Sequence, residues 1–113
     1  MSTDNTIGSD DERKAKLLGE TSRINWRDLE IFYAKGQVVE VQPELDLIEV
    51  ALAVSKDDSA AVGDWMNQQK VGQVDPDKAR RWHEEKRGVW AVVVAPWVLV
   101  QDKESSSSID PEY

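Results

Sequence analysis

The chain of 113 residues has no cysteine. This excludes disulfides and thiolate zinc sites, and it fits a reducing cytoplasm. Histidine occurs once, as His83. Glycines are scattered: Gly36, Gly63, Gly72 and Gly88 stand alone. No glycine-rich run joins a strand to a helix, so no phosphate loop is present. The opening MSTDNTIGSDDERK has no apolar stretch of the kind a secretory signal needs. The longest uncharged apolar run, VWAVVVAPWVLV at 89–100, is 12 residues long. A bilayer-crossing helix needs roughly 20 apolar residues, and a valine-rich run favours a strand. Membrane insertion is therefore not expected.

What is present is charge, unevenly placed. The formal net charge is −8, yet residues 1–12 carry −4 and residues 102–113 carry −3. Residues 13–101 hold 14 acidic and 13 basic side chains. The acidity belongs to the ends, so it says nothing about what a folded body would bind. Residues 1–12 read as an acidic N-terminal tail and residues 102–113 as a serine-rich acidic C-terminal tail, both disordered. A single domain is expected over 13–101.

Local signals divide that domain. Ser9 and Glu12 have the spacing of a capping box ahead of a short helix to Glu20. Asn25 caps a second helix with Trp26, Leu29, Ile31, Phe32 and Tyr33 on a wide apolar face, and Gly36 stops it. QVVEV at 37–41 reads as a strand ended by Pro43. ELDLIEVALAV at 44–54 reads as a helix, with Asp46, Glu49, Ala53 and Lys56 on one narrow polar stripe. It should be covered on most sides, by the rest of the chain or by a second subunit. After SKDD, a further helix turns Ala61, Val62, Trp65 and Met66 inward. VGQV at 71–74 is a short strand. Asp75-Pro76 opens a helix running to Gly88.

The apolar run closes the series. At period two, Val89, Ala91, Val93 and Ala95 share one face, and Trp90, Val92 and Val94 the other. Both faces are apolar, as in a strand covered on both sides. Pro96 has no N–H to give the ladder, so a bulge or bend is expected there before WVLVQ continues. The fold expected is α+β, with α/β as the variant. It has about three strands in a mixed sheet, four to five helices, and the last strand (89–101) central. A right-handed parallel crossover from 71–74 to 89–95 is one way to connect it.

ETSRINWRDL (20–29), VQPELDLIEVA (41–51) and WAVVVAPWVLVQ (90–101) together resemble a small family of uncharacterised bacterial proteins, a domain of unknown function. The resemblance spans about residues 18–101. It implies a bacterial single-domain protein and brings no activity, cofactor or catalytic residue.

Candidate sites are few. His83 lies at the edge of its helix with no nucleophile signature beside it. Glu44, Asp46 and Glu49, with Asp57 and Asp58, are explained by helix dipoles and capping and lack the spacing of a calcium loop. No metal or cofactor is expected. Lys78, Arg80, Arg81 and Arg87 make the helix at 78–87 locally basic around Trp82. Glu84 and Glu85 interrupt that patch. Trp97, next to Pro96 where the strand is disturbed, is the tryptophan most apt to project outward and anchor a partner.

The leading expectation is a small non-enzymatic interaction module, with an unknown protein or a second copy as partner. A three-stranded domain has too few layers to cover an all-apolar strand and helix, which motivates a homodimer. The alternative is a nucleic-acid-associated protein using the 78–87 helix. A small-ligand binder or enzyme comes third.

Overall fold

The computed structural model describes residues 2–102, with side chains from Asp10 onward. The segment 103–113, most of the expected C-terminal tail, lies outside the described residues. In chain order the elements are α1 (Ser2–Glu20), β1 (Ser22–Asn25), α2 (Trp26–Ala34), β2 (Val38–Val41), α3 (Leu47–Ser55), α4 (Ser59–Asn67), β3 (Val71–Gly72), α5 (Pro76–Glu85), β4 (Gly88–Val94) and β5 (Trp97–Gln101). The class is α+β with a mixed sheet, as the residue patterns imply. The sheet has five strands, not three, in the order β1-β4-β5-β2-β3.

Helix starts follow the capping residues. The Asn25 carboxamide oxygen accepts from Arg27 N, and the Asp75 carboxylate accepts from Asp77 N and Lys78 N ahead of Pro76. Asp46 proves to be the cap of α3, accepting from Ile48 N and Glu49 N, so that helix begins at Leu47. Asp58 caps α4 through Ala61 N. The capping box at Ser9 does not mark a start: helical backbone reaches back to Ser2, through the segment read as a tail. Extending an existing helix costs far less than nucleating one, so a mid-chain cap signal is readily overrun.

Helix ends repeat one device. After α2, α3, α4 and α5 the chain takes a left-handed residue: Gly36, Asp57, Gln69 and Lys86. The next N–H then bonds five residues back, as in Gln37 to Phe32, Asp58 to Ala53, Lys70 to Trp65 and Arg87 to Trp82. This satisfies carbonyls that a helix end leaves open. Only the first of these residues is glycine, which is why Gly88 misleads as a stop. Gly88 lies in β4, and α5 ends at Glu85.

The two missed strands have separate causes. β1 reads SRIN, too short and too polar to alternate, and only its antiparallel register with β4 (Ser22 opposite Ala91 through Asn25 opposite Gly88) makes it a strand. The run 89–101 is not one strand bent at Pro96. It folds back there, pairing Val94 with Trp97 and Trp90 with Gln101 as an antiparallel hairpin. The two-residue turn is Ala95-Pro96, whose peptide bond is cis. β5 is the middle strand, and β4 lies beside it. The parallel pair is β2 with β5. β3 pairs antiparallel with β2 at the far edge, so no crossover joins 71–74 directly to a neighbouring 89–95.

Helices cover both faces of this sheet. On one face Trp26 and Leu29 of α2 and Ala79 and Trp82 of α5 pack with Val38, Val89, Ala91, Val98 and Val100. Trp26 meets Trp82 edge-on at 5.1 Å and Tyr33 at 5.3 Å. On the other face Leu17 of α1 and Leu47, Val50, Ala51 and Leu52 of α3 pack with Val41, Val71, Val92 and Leu99. The alternation read for residues 89–94 is kept except at Val93: Val89 and Ala91 serve the first cluster, Trp90, Val92 and Val94 the second, while Val93, read on the covered first face, is 59% exposed next to the hairpin turn. The apolar strand and helix that motivated a second subunit are thus largely covered within one chain.

Candidate functional site

The second face is not closed along its whole length. α3 fits tightly, whereas no residue of α4 is buried. Met66, read as inward-facing, is 55% exposed. The reason is local: β3 is only two residues long, so the sheet offers little floor beneath α4. From α4 only Ser59, Val62 and Met66 reach the gap.

What remains between α4 and the sheet is an open cavity of about 590 Å³. Val38, Val39, Val71 and Leu99 line it from the sheet side, Val54 from α3, and Val62 and Met66 from α4. Trp97 stands in its wall, 40% exposed, at the first position of β5. Among the described residues, Asp57 and Asp58 are the only ionisable ones in the lining. The Asp58 carboxylate accepts from Ala61 N at 3.2 Å. The Asp57 carboxylate has no hydrogen-bond or ion-pair partner among the described residues.

The remaining sequence candidates are dispersed. Pro96 is exposed in the hairpin turn next to Trp97. Lys78 Nζ lies 2.8 Å from Glu40 Oε2, a buried carboxylate of β2. Arg80 bonds Asp77 at 2.7 Å. Arg87 bonds Glu85 and Asp102, each at 3.1 Å. Asp102, read as the first residue of the tail, is therefore tied to the fold. The hydrogen bond to Asp102 is the main cause that holds the Arg87 guanidinium above its ordinary value. Arg81 alone of the four pairs with no acid among the described residues. The basic character of the helix is thus mostly matched by acids of the same chain.

His83 Nδ1 is 2.8 Å from Glu30 Oε2, at an exposed contact between α5 and α2. Glu49 bonds Lys14 at 2.6 Å, which raises the Lys14 ammonium above its usual value. Among the described residues no group of three or more His, Asp or Glu could hold a metal ion. No described helix is long and apolar enough to cross a membrane.

Sequence reasoning singled out Trp97 and missed the rest of the cavity. Nothing in the chain announces that α4 stands off the sheet. The available signal was weak: Ala60, Ala61 and Gly63 give a helix little to bury.

Two comparisons bear on this chain. A family model described as "Protein of unknown function (DUF2288)" matches residues 12–102. The solution NMR structure of PA1075 from Pseudomonas aeruginosa is similar, with 44% identity and a TM-score of 0.71. That likeness covers 79% of this chain and 82% of that one. No curated protein matches the chain.

Proposed function

The chain belongs to the family of proteins of unknown function DUF2288, and we propose that it is a small non-enzymatic binding module whose working surface is the apolar cavity beneath α4. The observation that carries this reading is the cavity itself. Its volume of about 590 Å³ falls within the few hundred to thousand Å³ typical of ligand sites. Its walls are mainly valine, leucine, methionine and tryptophan, with Asp57, Asp58, Ser59 and Gln73 as the polar residues among those described. No nucleophile, base and orienting group converge there. The cysteine-free composition fits a cytoplasmic setting, and the likeness to a Pseudomonas protein fits a bacterial one.

A neutral solvatochromic dye, N-phenyl-1-naphthylamine, tests the site. It should brighten at one equivalent per chain and be displaced from Trp97→Ala and Val62→Phe. The reading fails if the dye does not bind, or if it binds equally to both variants.

A second reading, self-association, keeps one observation in its favour. Val93, Met66 and Trp97 remain 59%, 55% and 40% exposed. Light scattering after size exclusion decides it: a dimer at micromolar concentration that Trp97→Ala dissociates supports a shared surface, and a monomer rejects it.

A further inference from the structure

We infer that the cavity beneath α4 receives a small organic cation, an apolar body carrying one ammonium or guanidinium group, with the charge set at Asp57. The inference rests on the cavity being the binding site and adds the sign of its ligand.

The argument is one of charge complementarity in an apolar enclosure. Among the described residues the lining contains two acids, Asp57 and Asp58, and no basic residue. Asp58 is already engaged as the cap of α4. Asp57 is exposed at the cavity, in a left-handed backbone conformation (φ 57°) after the Lys56 cap of α3. Its carboxylate meets no partner among the described residues. A fatty acid or other anionic amphiphile entering the cavity would place its charge beside two like charges. A cationic one would meet an open acceptor. The Trp97 indole adds a ring face that favours cations over neutral groups. The enclosure is built by α3, α4 and the sheet of a single chain and has the dimensions of a small-molecule site, which favours a compact ligand over the face of a second protein.

The test is a matched series of probes: 4-phenylbutylamine, 4-phenylbutan-1-ol and 4-phenylbutanoate, titrated into the full chain and followed by amide and indole shifts in ¹⁵N NMR. The amine should shift Gly36, Gly72 and the Trp97 indole. It should bind about three- to fivefold more tightly than the alcohol, the scale of one exposed ion pair, and the carboxylate should bind most weakly. Added salt should narrow the difference. Asp57→Asn keeps a residue that tolerates the left-handed conformation. It should bring the amine down to the alcohol while leaving alcohol binding unchanged. If all three probes bind equally and Trp97→Ala weakens them together, the cavity reading stands and the cation inference falls. If none shifts the cavity resonances, both fall. If shifts appear only with a doubling of mass, the occupant is a second copy and the inference is overturned.

Discussion

The two faces of the sheet are built from similar helices and end up different. On the face under α2 and α5, Trp26 and Trp82 are 0% and 2% exposed and the layer is closed. On the face under α1, α3 and α4, α3 is equally well buried, but α4 bridges a gap. Side-chain volume and floor area explain the contrast. The closed face receives two indoles and the Tyr33 ring, whose hydroxyl donates to the Val74 carbonyl at 2.9 Å. The open face receives from α4 only the partly buried Trp65 and, at the cavity, Val62 and Met66, over a two-residue edge strand. Packing stabilises only where atoms meet at interior density. The half of a layer that lacks the atoms is left as a surface available to something else.

This contrast can be broken experimentally. The largest effect separates two tryptophans. Trp82→Ala should cost about 3–5 kcal/mol by chemical denaturation, while Trp97→Ala should cost roughly 1 kcal/mol or less. Similar losses would mean that the second face is closed in solution. Overpacking is the next comparison. Val89→Phe, on the closed face, should cost about 1–3 kcal/mol, whereas Val62→Phe has the cavity to enter and should stay within about 1 kcal/mol of the parent.

Lys78→Ala probes the polar contact at the margin of the closed face. It leaves the Glu40 carboxylate, 6% exposed, without its base under α5, and should cost about 1–3 kcal/mol. The smallest effect has the opposite sign. A methyl added at Gly63 in α4 would meet nothing within 4 Å. Gly63→Ala should therefore stabilise by about 0.5–1 kcal/mol through backbone entropy. A loss instead would show that α4 lies closer to the sheet than the structure has it.

Much of this architecture is legible in particular residues. Asn25, and Asp75 with Pro76, identify two helix starts, because a cap acts on N–H groups two or three residues away. The alternation at 89–94 assigns both faces of β4. Less visible is anything that depends on partners distant in sequence. β1 is a strand only because β4 lies beside it. The Gln101 side chain, buried and donating to the carbonyls of Gln42 and Leu45 at 3.0 and 2.8 Å, looks in the sequence like the polar end of a strand. The charges of Lys78, Arg80 and Arg87 look free until the acids beside them are known.

The candidate site divides the same way. Trp97 could be picked out from its neighbour Pro96, although the reason differs from a bent strand. It begins β5 immediately after the hairpin turn and so lies at the margin of the packed layer. The cavity it borders could not be found from residue order, since its walls come from α3, α4, β2, β3 and β5. The sequence alone determined the class of the fold, the helix starts at Asn25 and Asp75 and the apolar character of both sides of β4, because each depends on interactions within a few residues. Only the tertiary structure decided the five-strand order, the pairing of the basic helix with local acids and the opening under α4. Those depend on which distant surfaces meet, and on where the side chains are too small to fill the space between them.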